Sequence, residues 1–319
     1  MKKVKVAIEK GDEYSATAKA LNLIKEQILA KVEKEKIQEI FLKPNWVMFQ
    51  TDWLPITKTQ TIKAIIDFFN LIGEFKITVG DASPIVFGWD TKMLLERTDF
   101  LSLEKEYRNV KVVDLNDYPA EEKFLAKTLD GPKSIRYFKP ILESQFLVSI
   151  AKIKTHDTFA NTLSLKNVAS GCAHGEDKFF LHGLGSFPDN RRNDTDLNKT
   201  IMPMVHYNFY QGSKAVYPDL AVIDGVVAME GNGPVHGTPV NLGIALASVD
   251  PLSADIVATR IMGIDPREII YSDILKDELR PNFETVGEDP NQFKHEFKLS
   301  NYQNRPHTTK QEVLNLINN

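Results

Sequence analysis

The polar residues with the clearest chemical potential lie in one block of the sequence, from Lys152 to His182. Lys154 and His156 stand two residues apart, so their side chains share one face if the segment is a strand. A lysine beside a histidine can bind an anion or transfer a proton, because histidine titrates near neutral pH. With Lys166, ten residues after His156, they are the predicted catalytic residues. The simpler alternative is a solvated strand terminus.

A second set of residues is suited to holding a ligand. Hydroxyl and amide groups flank Lys166 at a predicted helix start, and such a turn suits a phosphate or carboxylate. The turn Glu230-Gly231-Asn232-Gly233-Pro234 lets the backbone approach a ligand closely, although it lacks the residue order of a phosphate-binding loop. The predicted ligand-binding residues are Lys43, Asn45, Ser164, Asn167, Gly231 and Gly233.

Carboxylates form a third set, because oxygen ligands suit hard cations such as Mg²⁺, Mn²⁺ or Ca²⁺. Asp81, Asp224 and Glu230 are the predicted ligands of a divalent metal. Asp255 is expected in the first turn of a helix, where the helix dipole stabilises a carboxylate without any ligand.

Cys172 is the single cysteine of the sequence, which excludes an intramolecular disulfide and a Cys-x-x-Cys metal site. A buried, unreactive thiol is the favoured interpretation. A cysteine–histidine nucleophile, or a soft ligand pair with His174 and His182 nearby, is the alternative.

The elements that must position these residues alternate between strand and helix along the chain. Strands are predicted at Val4–Glu9, Glu39–Leu42, Lys76–Val79, Val110–Leu115, Ile135–Phe138, Phe146–Ile150, Leu220–Ile223 and Leu242–Ser248. Helices are predicted at Ala16–Val32, Thr59–Ile72, Thr91–Leu95, Leu163–Ala173, Leu197–Tyr210, Ser253–Met262 and Thr309–Ile317, with a long loop over residues 174–192. This alternation predicts an α/β fold, with a mostly parallel sheet and flanking helices. We expect one domain over residues 1–319, with intimate lobes over 1–145 (βαβ-type) and 146–319 (bearing the site).

Four of the predicted strands end on charged or turn-forming residues. These ends are Lys43-Pro44-Asn45, Gly80-Asp81-Ala82-Ser83, Lys154-Thr155-His156 and Asp224-Gly225. Turn formation alone explains any one of them, but ligands of open α/β sheets bind outside the carboxyl ends of the strands. The four ends together therefore favour one shared site.

The charge and the apolar content of the sequence exclude some classes of protein. The net charge of -4 and the pI near 6.0 come from interspersed acids and bases, which excludes the basic stripe of a nucleic-acid-binding protein. We find no apolar stretch of the length of a membrane span and no signal peptide, so we expect a cytoplasmic protein without membrane association.

The order and spacing of several motifs resemble the family called domain of unknown function 362, over roughly residues 40 to 270. The motifs are Lys43-Pro44-Asn45, Val79-Gly80-Asp81, Lys152-Ile153-Lys154-Thr155-His156, Thr162-Leu163-Ser164-Leu165-Lys166-Asn167, Ile223-Asp224-Gly225 and the turn at Glu230–Pro234. The activity of that family is not established. Many members resemble fusions to ferredoxin-like iron–sulfur modules, which implies redox chemistry for those members. Since this chain has only Cys172, we expect no iron–sulfur cluster within it, and a redox role would need a separate electron-transfer protein.

The resulting functional hypothesis is an enzyme that acts on a small anionic metabolite. Lysines would neutralise the anion and His156 would move a proton, while an acidic residue would orient a lysine, a water or a divalent metal. A non-catalytic ligand- or metal-binding protein and a redox component working with an iron–sulfur protein are the alternatives. The sequence does not specify the reaction type.

Overall fold

The computed structural model describes residues 3–47, 53–83, 90–186, 195–299 and 307–318. The strands are β1 (Val4–Lys10), β2 (Glu39–Lys43), β3 (Lys76–Asp81), β4 (Val110–Asp114), β5 (Ala120–Ala126), β6 (Lys133–Phe138), β7 (Leu147–His156), β8 (Ala160–Thr162), β9 (Leu220–Asn232), β10 (His236–Val240), β11 (Ile244–Ser248) and β12 (Phe283–Gly287). The helices are α1 (Glu13–Leu23), α2 (Lys25–Glu35), α3 (Thr59–Ile72), α4 (Thr91–Arg97), α5 (Ser102–Glu106), α6 (Lys139–Leu142), α7 (Ser164–Gly171), α8 (Asp177–Leu181), α9 (Thr195–Ala215), α10 (Pro251–Ile261), α11 (Ile270–Leu279) and α12 (Lys310–Asn318).

A single large sheet organises the molecule, with strand order β12-β1-β11-β9-β7-β2-β3-β4. Neighbours are parallel from β9 to β4 and between β1 and β12, whereas β11 is antiparallel to both of its neighbours. Short strands β8 and β10 pair with the ends of β7 and β9, and β5 and β6 form a separate pair. The predicted α/β class with a mostly parallel sheet is confirmed.

Helices cover both faces of the sheet, and each face has its own apolar core. One core joins the sheet to α1, α2 and α3, and the other joins it to α7, α9, α10 and α11. Strand β7 is buried along its whole length, with Val148 and Ile150 in the first core and Ala151 and Ile153 in the second. This alternation follows from the two-residue period of a strand, and it explains why the first half of β7 is mostly apolar on both faces.

The largest difference from the sequence-based prediction is in β9, which continues through Asp224-Gly225 as far as Asn232. Lys152 and Lys154 of β7 pair with Asp224 and Met229, so β9 carries three extra residues between the two pairs. An aspartate followed by glycine is typical of a turn, but here the two residues begin a bulge inside a strand.

Two predicted segments are subdivided. The helix predicted over Ala16–Val32 is broken at Ile24, whose φ of -111° and ψ of 10° leave helical geometry. The loop predicted over residues 174–192 contains α8, and its residues 187–192 lie outside the described part of the chain. Strands from both sides of residue 145 belong to the same sheet, and the lobe boundary stays a prediction.

No helix within the described residues combines the length and the apolar character needed to cross a membrane.

Candidate active site

A cavity of about 310 Å³ lies where the carboxyl ends of β2, β3 and β7 meet α7 and α8. The residues that line it are Lys43, Asn45, Val47, Asp81, Ala82, Lys154, His156, Asp157, Thr162, Lys166, Asn167, Ser170, Gly171, Lys178, Phe179, His182, Leu184, Pro234 and Val235. Three of the four predicted strand ends therefore meet at one cavity. The fourth, Asp224-Gly225, is not among the lining residues.

Lys43 is held in a buried network that occupies all its hydrogen-bonding capacity. Its Nζ lies 2.8 Å from Asp81 Oδ1, and it donates to Pro44 O at 2.8 Å and Asn167 Oδ1 at 2.9 Å. The Asn167 amide donates in turn to Lys43 O and Ser149 Oγ. Because an ammonium group has three protons, Lys43 has none left for a ligand. Lys43 and Asn167 thus fix the wall of the cavity, instead of contacting an anion directly as the sequence led us to expect.

Lys154 occupies a different environment. Its side chain is buried and lines the cavity, and its Nζ donates to Pro234 O at 3.2 Å and Pro55 O at 3.4 Å. It makes no ion pair with any described residue. Burial, and then the positive charges of Lys166, Lys43 and Lys152, hold the pKa of Lys154 well below its usual value. An amine of this kind is suited to accept a proton or attack a carbonyl carbon.

Lys166 projects from α7 into the same cavity. Its Nζ lies 5.1 Å from the ring centre of Phe209 and 5.5 Å from that of Phe159, within the range of a cation–π contact. The structure thus brings the predicted catalytic residues Lys154, His156 and Lys166 together at one cavity. Their catalytic role stays a prediction.

Lys178 is a further cavity lysine, which the sequence alone did not single out. Its Nζ donates to Ala82 O at 2.6 Å and Gly171 O at 3.0 Å, so it ties α8 to the ends of β3 and α7. Burial is the main cause that lowers the pKa of Lys178, to about 8. Only the folded position of α8 brings this residue to the site.

His156 ends β7, and a short turn fixes its orientation. The backbone N–H of Thr158 donates to His156 Nδ1 at 3.0 Å, and the Asp157 carboxylate lies 3.1 Å from the same atom. The two contacts make opposite demands on Nδ1, because a backbone N–H can only donate and a carboxylate can only accept. The Thr158 contact requires a lone pair on Nδ1, which assigns the proton of the neutral ring to Nε2. The turn leads to Ala160, whose φ of 63° is left-handed, a strained conformation for alanine. In this tautomer Nε2 of His156 is a hydrogen-bond donor.

His182 has the opposite tautomer. Its Nδ1 lies 2.7 Å from the carbonyl oxygen of Lys178, which can only accept, so Nδ1 carries the proton and Nε2 the lone pair. The rings of His156 and His182 are nearly parallel, at 15°, with their centres 6.1 Å apart. The cavity thus contains an imidazole donor and an imidazole acceptor side by side. No local sequence pattern pairs the two histidines, because they lie at the ends of separate elements.

The start of α7 does not serve as an anion site, contrary to the sequence-based expectation. Asp255 of α10 accepts hydrogen bonds from Ser164 N at 2.8 Å and Leu165 N at 2.9 Å, so a carboxylate of the protein occupies this helix terminus. Asp255 is the fifth residue of α10 and stabilises a neighbouring helix, not the first turn of its own. Ser164 is buried and does not line the cavity.

Two buried residues of the lining are compatible with ligand binding. Thr162 Oγ1 is buried, has no hydrogen-bond partner among the described residues, and belongs to a residue that lines the cavity. Asn45 also lines the cavity, and its amide nitrogen donates to Pro55 O at 2.6 Å. A polar atom buried without a partner is uncommon in folded proteins. Thr162 is therefore a candidate ligand contact that the predicted residue set did not include.

Gly231 and Gly233 do not line the cavity but pack against Thr155 of β7. Gly231 has a φ of 88° and its carbonyl oxygen accepts from Thr155 Oγ1, while a Cβ at Gly233 would overlap the backbone of Thr155. The turn must therefore be glycine-rich to lie against β7. This packing places Pro234, not the two glycines, at the cavity and beside Lys154.

The three predicted metal ligands do not meet at one site, because each interacts with a different partner. Asp81 pairs with Lys43, Asp224 Oδ2 lies 3.1 Å from Lys152 Nζ, and Glu230 accepts from Lys298 N with His295 Nε2 at 3.4 Å. Among the described residues, no group of three or more histidine, cysteine or carboxylate side chains is placed to hold a metal ion. The sequence places these acids near strand ends but cannot show that lysines neutralise two of them.

Cys172 and His174 lie outside the cavity lining. The thiol is fully buried, and burial raises the pKa of Cys172 to about 12. His174 packs on Phe138 with ring centres 5.3 Å apart, and burial lowers its pKa. A thiol of this kind is a poor nucleophile, so the interpretation of Cys172 as a buried, unreactive residue is the one its environment supports.

The comparison with known protein families agrees with the motifs identified in the sequence. A family described as "Domain of unknown function (DUF362)" matches residues 40–260, which contain every strand end at the cavity. The chain belongs to this family. The resemblance read from the motifs is confirmed, and the DUF362 region includes all of the cavity lysines.

Two further likenesses are partial. Over 140 residues the chain is 31% identical to the thylakoid-associated protein sll1697 of Synechocystis, an alignment that covers 44% of this chain and 39% of that protein. The fold is also similar to that of the lactate racemase apoprotein from Thermoanaerobacterium thermosaccharolyticum, with a TM-score of 0.49 and 12% identity, over 82% of this chain and 57% of the racemase. The chain thus spans well under two thirds of either protein, and neither likeness transfers an activity to it.

Proposed function

We propose that this DUF362 protein is an enzyme that acts on a small organic anion bound in the cavity. The proposal rests on the charge of the residues that line the cavity. Four of the described lining residues are lysines and two are aspartates. Asp81 is already neutralised by Lys43. Lys166 and Lys178 then outnumber Asp157 without any charge on Lys154, which favours an anion, and about 310 Å³ suits a small molecule.

Catalysis, in preference to simple binding, is supported by the proton-transfer groups of the cavity. Lys154 has a lowered pKa, His156 presents a donor, and His182 presents an acceptor. Groups with perturbed pKa values in a cleft are typical of active sites, and a positioned acid or base contributes about 10²- to 10⁴-fold to a rate.

The test begins with binding. The melting temperature of the protein is measured with a panel of small carboxylates, phosphate and sulfate, because a ligand at 100 times its Kd adds about 2.7 kcal/mol to stability. We expect at least one anion to stabilise the wild type and to do so much less in Lys166→Met. Lys76→Met, at a side chain that is 83% exposed, is the matched control and should respond as the wild type does.

Anions that stabilise the protein are then incubated with it, and products are sought by NMR. Turnover that is lost in a His182→Gln variant supports the enzyme. Stabilisation without turnover of any bound anion would indicate a binding protein instead, and no stabilisation by any anion would contradict the cavity as the site.

A further inference from the structure

Lys154 differs from two other cavity lysines, Lys43 and Lys178, in the bonding capacity that its nitrogen has left for a ligand. Lys43 donates to three acceptors, and Lys178 donates to two at 2.6 and 3.0 Å. Among the described residues, Lys154 has two carbonyl oxygens as partners, at 3.2 and 3.4 Å. A neutral amine has two hydrogens and one lone pair. The two carbonyls match the hydrogens, which leaves the lone pair for a ligand in the cavity.

We propose that Lys154 forms an imine with the carbonyl group of a small oxo acid. This inference rests on the proposed function, and it names the substrate class of the same site. The lone pair of Nζ attacks the carbonyl carbon, a C–N bond forms, and the carbonyl oxygen takes up a proton to give a carbinolamine. The carbinolamine loses its hydroxyl group with one proton as water, and the C=N bond remains. No oxidant or reductant is consumed.

The neighbouring groups fit the proton movements of this reaction. His156 lines the same cavity as a hydrogen-bond donor and is suited to polarise the carbonyl oxygen. His182 lines it as an acceptor and is suited to remove a proton from nitrogen. Burial and the adjacent lysines that lower the pKa of Lys154 favour the nucleophilic, uncharged amine.

The same charges make the proposal selective for anions. A protonated imine returns a positive charge to a buried position beside Lys43 and Lys166. Such a charge is unfavourable unless the substrate brings a negative group into the cavity with it. A carbonyl compound that also carries a carboxylate meets this requirement, whereas a neutral ketone of similar size does not.

Reductive trapping tests the proposal. The 319-residue chain is incubated with pyruvate, 2-oxobutyrate, glyoxylate or 2-oxoglutarate, sodium borohydride is added, and the intact mass and a peptide map are recorded. We expect one covalent adduct per chain on Lys154, formed with at least one oxo acid and lost in Lys154→Met. Lys76→Met, at a side chain that is 83% exposed and outside the cavity lining, should keep the adduct, and acetone should give none.

Two outcomes would overturn the proposal: no adduct with any oxo acid in the panel, or an adduct that persists in Lys154→Met. If anions still stabilise the wild type in those cases, the proposed function is retained and the imine is rejected. If no anion stabilises the protein, the proposed function and the imine are both rejected. Circular dichroism of Lys154→Met shows whether loss of the adduct reflects unfolding, and Lys154→Arg, which has no nucleophilic amine, should also give no adduct.

Discussion

Replacing Asp224 by asparagine removes the negative half of an ion pair buried between β7 and β9. Asp224 Oδ2 lies 3.1 Å from Lys152 Nζ, and the two side chains are 1% and 0% exposed. The same carboxylate accepts from Val226 N at 3.0 Å and, more weakly, from Thr61 Oγ1 at 3.4 Å. Among the described residues Asp224 provides the one acceptor of Lys152, so Asp224→Asn leaves a buried ammonium facing a neutral amide.

The expected cost follows from this burial. Removing one partner of a buried pair costs about 3–5 kcal/mol, whereas an exposed pair contributes about 0–1 kcal/mol. At roughly 2 °C per kcal/mol for a domain of this size, Asp224→Asn should lower the melting temperature by about 6–10 °C. Replacing both partners with apolar residues, as in Lys152→Met with Asp224→Leu, should recover much of this loss because no unpaired charge remains.

Thermal melts and urea unfolding measure these changes, with Glu288→Gln as the control. Glu288 pairs with Lys10 at 3.1 Å, but Lys10 is 68% exposed, so this substitution should shift the melting temperature by about 2 °C or less. If Asp224→Asn were as stable as the control, or if it abolished anion binding without loss of stability, the assignment of Asp224 to a structural pair would be wrong. Asp224 would then belong to a ligand site, as the sequence first led us to expect.

Three further results are expected. Cys172 should resist iodoacetamide at pH 8 in the native protein and react in denaturant, because its thiol is buried and has a pKa of about 12; rapid native labelling would contradict this. Gly171→Ala should lower stability by about 1–3 kcal/mol in a thermal melt and weaken anion binding, since its Cβ would overlap Lys43; unchanged values would show that Lys43 can move freely. Burial raises the pKa of Asp255 to about 7 from 3.8, so the folded state keeps a proton that the unfolded state loses. The free energy of unfolding should therefore fall as pH rises from about 4 to 7 and level off above, and an equally steep slope in Asp255→Asn would refute the assignment.

The sequence predicts the fold best where one helix or strand determines its own pattern. Helix α3 was predicted with its observed bounds, because apolar residues recur at helical spacing from Thr59 to Ile72 and Gly73 follows. The buried strand β7 is visible as an apolar run. These signals arise from local burial, which the order of residues records directly.

Elements at the margin of the fold were harder to predict. Strand β12 at the edge of the sheet is mostly exposed, and β10 pairs only with the end of β9. Their residues do not alternate cleanly between apolar and polar, because neither strand contributes a fully buried residue to a core. The extension of β9 beyond Asp224 was missed for a related reason: pairing with β10 and β7 keeps a turn-like sequence in the sheet.

The candidate site was predictable in part. Lys154, His156 and Lys166 belong to one continuous block of sequence, so their proximity follows from a strand, a turn and a helix. Lys178 and His182 needed the docking of α8, which no local pattern reveals. The distinction between a lysine that binds a ligand and one that holds the fold, such as Lys43, depends on partners far away along the chain.

Those partners separate the buried lysines of this sheet into two kinds. Lys43 and Lys152 each have a carboxylate within 3.1 Å, so their burial is compensated and explained by the fold. Lys154 is equally buried and lies among like charges, and within the part of the chain that the structure describes its partners are two carbonyl oxygens. Burying an amine in this way opposes stability, since an apolar side chain of similar size would fit the same position without the desolvation penalty. Stability therefore does not explain Lys154, whereas the proposed reaction, which needs an uncharged amine beside an anion, would explain it.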